Sequence, residues 1–308
     1  MTKFIMLVGL PASGKSTYAE SLKDAGYHIH SSDAIREELT GDTNTQDKNT
    51  EVFELLHKRV KEDLLNGVSC VYDATNTSRK RRVAFLNELR NVECEKICML
   101  FLTPIEECKR RNQGRERKVP EEVFDKMLKS FWVPMEYEGW DQINVGILEG
   151  YEYRFPIEKT YNFDQCNSHH SKKLFDHMHN TALYIRSNTN QNFKKTRRYR
   201  NLMLAAYYHD IGKLYTQTFT NSKGEGTEDA HYYGHDGYGA YLYLLIEFYS
   251  GCLFPDDARN IAALVNWHMR PHTTWKQSEK AMKRDKRMIG EEMYQDIMLL
   301  HEADKYAH

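Results

Sequence analysis

Residues Gly9-Leu-Pro-Ala-Ser-Gly14-Lys15-Ser16 fill every position of G-x-x-x-x-G-K-[ST], the pattern of a phosphate-binding loop. The glycines let backbone N–H groups turn inward around phosphate oxygens. Lys15 reaches the β- and γ-phosphates and Ser16 offers its hydroxyl to Mg²⁺. Thr17 continues into a helix whose N-terminal dipole favours negative charge. Gly9, Gly14, Lys15, Ser16 and Thr17 are thus candidate contacts for a nucleoside triphosphate, with ATP and Mg²⁺ as the expected cofactors. Ser31-Ser32-Asp33-Ala34-Ile35-Arg36 adds an aspartate able to accept the proton of an attacking hydroxyl. An arginine one helical turn on can hold an acceptor phosphate. The rival reading makes Asp33 a helix N-cap. Asp73-Ala-Thr-Asn76 offers a carboxylate for Mg²⁺ water or an acceptor hydroxyl. Arg111, Arg115 and Arg117 lie in the basic segment 109–118, which reads as a lid neutralising charge on a transferring phosphoryl group.

A second set of chemistry-bearing residues comes late in the chain. His209-Asp210-Ile-Gly-Lys213 ends an apolar helical stretch, 202–208, and can direct a ring nitrogen and a carboxylate at one metal ion. His179 precedes the pair; His235, His268 and Asp304 follow it. Imidazole with carboxylate suits Mg, Mn, Co, Ni, Fe or Zn. His177 competes with His179, and His231 with His235. The basic run Lys194-Lys195-Thr-Arg197-Arg198-Tyr-Arg200 is either a solvated helix face or a rail for a phosphate backbone.

These residues need two kinds of scaffold. The 308 residues suit two domains, and 43 Lys+Arg against 44 Asp+Glu exclude a globally basic nucleic-acid binder. Of 14 histidines, all but His28, His30 and His57 fall after residue 168, so the two halves differ chemically. No apolar run reaches the ~18 residues of a membrane span, and the start is too short for a signal peptide. Six cysteines without a CxxC pair indicate reduced thiols and a cytoplasmic location.

The first half alternates strands near 3–8, 27–30, 69–72 and 96–102 with helices near 14–25, from 33, and at 51–65 and 79–90; 40–49 reads as loop. This alternation predicts a parallel sheet covered by helices, with an edge strand at 143–148. From about 162 the pattern turns helical, at 177–187, 200–208, 238–249, 256–268 and 291–306, with a mobile turn-rich insert at 220–228. The expected architecture is an α/β domain over 1–150 and an all-α domain over 160–308.

Residues 3–131 resemble the 5′-hydroxyl polynucleotide kinases of bacteriophage and bacterial RNA repair. The resemblance rests on the phosphate loop, the Asp33/Arg36 pair, Asp73-Ala-Thr-Asn76 with its basic 79–82 tail, and Arg111-Asn-x-x-Arg115 ahead of Val119-Pro120. It implies Lys15 and Ser16 on ATP·Mg²⁺ and Asp33 as general base. Arg36 would take the acceptor phosphate, with Asp73 and Asn76 beside the acceptor. Arg111 and Arg115 would act in the lid, Arg117 competing for the γ-phosphate.

Residues 167–308 resemble the HD superfamily of metal-dependent phosphohydrolases. That resemblance implies one metal on His179, His209, Asp210 and Asp304, a second on His235 and His268 with Asp210 bridging, and Lys213 on the phosphate. His179 is preferred because Leu183 then falls where the family has an apolar residue. Together the halves imply an end-healing enzyme that phosphorylates 5′-OH ends and removes a 2′,3′-cyclic or 3′-terminal phosphate. RNA or DNA ends would be its partners, alongside a separate RNA ligase. The bacterial enzymes carry the domains in reverse order. Two alternatives are a nucleoside or nucleotide kinase fused to an HD nucleotidase, and a regulatory protein in which ATP hydrolysis gates the second half.

Overall fold

A computed structural model describes residues 1–42, 47–167, 172–251 and 254–307, so part of the loop expected at 40–49 lies outside the described residues. The chain divides into two compact units: Met1–Met127 with Pro134–Tyr151, and Leu128–Val133 with Glu152–His308.

In the first unit the order is β1 (Lys3–Val8), α1 (Lys15–Ser21), β2 (His28–Ser31), α2 (Ser32–Thr40), α3 (Asn49–Leu65), β3 (Cys70–Asp73), α4 (Arg79–Glu88), β4 (Glu95–Leu102), α5 (Ile105–Gln113), α6 (Glu121–Lys129) and β5 (Gln142–Ile147). The five strands form one sheet in the order β2-β3-β1-β4-β5, with every pairing parallel. β1 is central and buried after its first residue, which suits its unbroken apolar run. Ile5, Leu7, Val71, Ile97 and Phe101 pack there against Ala19 of α1. Ser31 pairs in register with Asp73, so the ends of β2 and β3 deliver the acceptor-side residues to the same sheet edge as the loop after β1. The helix expected over 14–25 is shorter, ending at Ser21.

One buried ion pair fixes the chain after β3. The Arg82 Nε and Nη2 atoms donate to the two oxygens of Glu138 at 2.8 and 2.6 Å. Its Nη1 donates to the carbonyls of Asn76 and Thr77 at 3.0 and 3.1 Å, so one guanidinium ties strand end to helix start. Trp140 donates to the same carboxylate.

The second unit contains α7 (Glu158–Tyr161), α8 (Leu174–Ser187), α9 (Gln191–Lys194), α10 (Arg197–Tyr208), α11 (Lys213–Thr216), β6 (Thr218–Thr220), β7 (Gly226–His231), α12 (His235–Ser250), α13 (Pro255–Trp267), α14 (Thr274–Gln277), α15 (Glu279–Ile289) and α16 (Glu291–Tyr306). It is a helical domain with one correction: a β6–β7 antiparallel hairpin occupies the segment expected to be a mobile turn. α15 is also additional; it is rich in charge and buries only Asp285 and Ile289, which leaves little apolar period to read. Residues 128–133 belong here because Phe131 packs on Tyr241 and Trp132 on Trp267, while Asn266 bonds the Phe131 carbonyl and the Val133 N–H at 2.9 Å.

In the basic run at 194–200 the arginines are held by carboxylates, while Arg197 and Arg200 remain exposed. Arg197 and Arg200 grip Asp257, which is fully buried in the first turn of α13, and Arg198 grips Asp296 of α16 at 2.8 Å. Among the described residues no helix is long and apolar enough to cross a membrane.

Cutting the Arg82–Glu138 pair from one side strands a buried charge. Arg82→Met should cost about 3–5 kcal/mol, read as a lowered urea midpoint for the first unit. Lys58→Ala, which removes the exposed Lys58–Glu62 pair, should stay within about 0.5 kcal/mol.

Candidate functional site

The loop after β1 is shaped by backbone conformation. Gly14, at φ 100°, turns the chain into α1, and Ala12 also adopts a positive φ of 59°. Lys15 is 7% exposed and donates to the Leu10 carbonyl at 2.6 Å and to Ser13 Oγ at 3.3 Å. Burial lowers its pKa to about 8, partly opposed by the Asp73 carboxylate. Ser16 and Thr17 remain exposed in the first turn, and Ser16 Oγ donates to Asp73 Oδ2 at 2.8 Å. Burial raises the Asp73 pKa while Ser16 and Lys15 oppose the rise. Hydroxyl, carboxylate and lysine thus converge at the loop, a donor set that fits a nucleotide phosphate with Mg²⁺.

On the acceptor side, the cap of α2 is Ser31, whose hydroxyl accepts from the Asp33 N–H at 3.3 Å and more loosely from that of Ala34. The Asp33 side chain is therefore not needed as the helix cap. It takes Nη1 of Arg36 at 2.9 Å and Nη1 of Arg117 at 2.5 Å. Arg36 is 5% exposed; Nη2 donates to Asn49, and Nε is buried with no hydrogen-bond partner among the described residues. The Asn76 amide is committed to the sheet in the structure. At φ 47° the residue turns its amide onto the Leu7 carbonyl of β1 at 2.8 Å, so it braces the sheet edge.

In the basic segment 109–118 Arg111 donates to Glu107 at 2.6 Å, and Glu107 also takes Arg110. These arginines hold the Glu107 carboxyl down at about 2. Arg115 is exposed, and its charge is felt by both Lys15 and Asp73, whereas Arg117 sits on Asp33.

The second unit gathers a buried cluster in two overlapping groups: His177, His209, Asp210 and Asp304, then Asp210, His235 and His268. His177 Nε2 lies 3.3 Å from His209 Nε2, 3.3 Å from Asp210 Oδ2 and 3.0 Å from Asp304 Oδ1. His235 Nε2 lies 3.1 Å from both His268 Nε2 and Asp210 Oδ1.

The far ring nitrogens decide the proton positions. Nδ1 of His209, His235 and His268 donates to the Ala206, Tyr232 and Val265 carbonyls at 2.9, 2.7 and 2.6 Å. Each Nε2 is then an inward-facing acceptor in the neutral ring, opposed by carboxylate oxygens. Acceptors facing acceptors at these distances require a cation or a proton between them. The donor set fits a divalent metal in each group, Asp210 being common to both.

Charge shifts agree. Burial disfavours the His209 imidazolium, yet the charge of Asp210 and hydrogen bonds donated to Asp210 and Asp304 raise its pKa to about 10. Burial opposes ionisation of Asp210, but Lys213 and His209 hold its pKa well below the ordinary range. Lys213 donates to Asp210 Oδ2 at 2.7 Å and to Gln165 at 2.8 Å. Two helix ends meet at Gly212, where a Cβ would lie 2.1 Å from the His235 carbonyl oxygen and 2.7 Å from the Gly239 nitrogen.

His179 does not join this cluster; it stacks on Phe175. Two residues along a helix swing a side chain about 200°, and α8 buries the stripe Leu174, His177, Met178, Thr181 and Ile185. Leu183, the basis for choosing His179, is 39% exposed. That buried stripe is the sequence signal that finds His177. His231 stacks on Tyr233, while His235 occupies the cluster. The sequence reading also missed His272, whose Nε2 lies 2.8 Å from Asp304 Oδ2, and His301, whose Nδ1 lies 2.9 Å from the same nitrogen. His301 and Asp304 share a helix face at i,i+3, a usable signal.

This architecture agrees with comparison to known proteins. Residues 4–134 match the AAA domain family and 174–307 match the HD domain family, so the chain carries a P-loop domain followed by an HD domain. Among curated proteins, the L-seryl-tRNA(Sec) kinase of Methanococcus maripaludis is 27% identical over 162 residues, which is 48% of this chain and 61% of that relative. The chain thus spans under two thirds of the relative's length. Among solved structures, a sugar kinase from Janibacter is 20% identical with a TM-score of 0.36, covering 48% of this chain and 85% of its own. The Pnkp1/Rnl/Hen1 RNA repair complex contains a chain 24% identical with a TM-score of 0.35, covering 41% and 42%.

Two outcomes follow. His177→Ala should lower bound metal per chain, measured by plasma mass spectrometry, while His179→Ala keeps it; because His209 holds a proton up to about pH 10, metal binding should release protons and tighten as pH rises. On the P-loop, ATP needs the Lys15 ammonium, which the free loop loses above about pH 8. Calorimetric affinity for ATP·Mg²⁺ should therefore fall as pH rises through that value, approaching about tenfold per unit, and Lys15→Met should flatten the dependence.

Proposed function

We propose that this chain heals broken nucleic-acid ends by two separate reactions. The first unit phosphorylates a 5′-hydroxyl with ATP; the second hydrolyses a 2′,3′-cyclic or 3′-terminal phosphate. The observation that carries the reading is the pairing of Asp33 with the buried Arg36 guanidinium at the sheet edge that also carries the phosphate loop. A carboxylate placed to receive a proton, beside an arginine with an unused buried N–H, suits an acceptor that bears its own phosphate.

Within that reading each side chain has a task. Lys15 and the loop N–H groups hold the triphosphate, and Ser16 with Asp73 would hold Mg²⁺. Asp33 takes the proton of the incoming hydroxyl. Arg117, resting on Asp33 in a partly exposed pair of modest worth, can exchange that partner for phosphate, and the exposed Arg115 lies within electrostatic reach of Lys15 and Asp73.

In the second unit His177, His209, Asp210 and Asp304 would hold one divalent ion and Asp210, His235 and His268 another. Such ions, when bound, supply Lewis acidity at a phosphoester. Lys213 offsets Asp210 and stands ready for a phosphate oxygen. RNA or DNA ends are the substrates, a separate RNA ligase completes the join, and the thiols of the described cysteines suit a reducing cytoplasm.

The decisive experiment supplies labelled ATP and an RNA carrying a 5′-OH and a 2′,3′-cyclic phosphate, then resolves both ends. Lys15→Ala should abolish only 5′ labelling and His209→Ala only 3′-end hydrolysis. Asp33→Asn should cut kcat by ~10²–10⁴ with ATP affinity kept. Phosphorylation of free nucleosides with none of oligonucleotides would replace this reading by a nucleoside kinase fused to a nucleotidase.

A further inference from the structure

Beside the metal cluster of the second unit lies a cleft of about 670 Å³ whose wall includes His272, Trp275, Tyr294, Met298, Lys276 and Lys305. We infer that this cleft holds the base of the nucleotide whose phosphate is hydrolysed at the cluster. The inference rests on the phosphohydrolase reading above and names the part of the substrate that the unit grips.

Position is the first argument. Asp304 turns Oδ1 to His177, 3.0 Å away in the cluster, and Oδ2 to His272, 2.8 Å away in the cleft wall. One carboxylate therefore separates the two compartments, so a group seated in the cleft lies within a nucleotide's reach of the cluster.

Chemistry is the second. Trp275, 8% exposed, and Tyr294 pack on each other with centroids 5.5 Å apart and line the cleft by their free edges, Lys286 Nζ lies 4.4 Å over the Tyr294 ring, and Met298 adds a polarisable thioether. Lys276 and Lys305 are exposed and carry positive charge at the same cleft, where a sugar-phosphate chain would pass. An aromatic and thioether wall with lysines at its rim suits a base and the backbone that follows it. The volume falls within the range of small-ligand sites.

Rigidity is the third. The Trp275 indole N–H donates to Asp285, itself 1% exposed, at 3.0 Å, and the ring packs on the buried Trp267. The wall is thus preformed, and binding need not order it.

The test compares a substrate with a base to one without, using the full-length, Mn²⁺-loaded protein. The ratio of kcat/KM for adenosine 2′,3′-cyclic phosphate over bis(p-nitrophenyl) phosphate cancels losses of folding or metal common to both. Tyr294→Ala and the cleft-filling Met298→Trp should each lower this ratio about tenfold, through KM on the nucleotide. Tyr294→Phe, which keeps the ring, should restore it. A ratio equal to wild type in both variants, with the nucleotide still hydrolysed, overturns the cleft assignment alone. A wild-type protein that cleaves only the base-free ester overturns the end-healing reading, and the cleft assignment with it.

Discussion

The helical unit is organised around one electrostatic demand: buried acceptor atoms face each other across Asp210 and Asp304, and something positive must lie between them. Four imidazoles reach this point from the first turn of α8, the ends of α10 and α13 and the start of α12, and Asp304 comes from α16. Burying such groups is costly unless they are compensated. The pKa directions record the compensation: carboxylates pulled below their ordinary range, and His177 and His209 pushed above theirs despite burial.

The first unit solves a related problem with backbone. Its anion site needs no buried histidines, because positive-φ residues and a helix start turn N–H groups to one place. The residues proposed for the acceptor arrive there by strand register, since Ser31 and Asp73 are paired neighbours on β2 and β3. Under the proposed reading, the two solutions match the two lesions left together by metal-independent RNA cleavage.

What could be read from the chain follows from where each constraint is written. The phosphate loop was legible because its backbone shape demands glycines at fixed spacing, and the parallel sheet because its strands are short apolar runs between helices. The HD pair was legible because its residues are adjacent. The choice between His177 and His179 turns on which helix face is buried, and a single exposed leucine pointed to the wrong face. The arginines of 197–200 looked like free charge because their partners, Asp257 and Asp296, lie dozens of residues away. Arg82 was hidden in the same way, its carboxylate being Glu138. Long-range ion pairs leave no local spacing, so the chain cannot announce them.

Gly212 carries a kinetic consequence. There the main chain of the turn bearing His209 and Asp210 touches the main chain at the start of α12, with no side chain to compress or rotate between them. The spacing of the two ligand groups is therefore a backbone quantity, and α12 cannot tilt away without taking His235 with it. Exchange of an ion held beside Asp210 would then proceed at the pace of local helix opening, not of diffusion, so that a chelator would report a conformational clock.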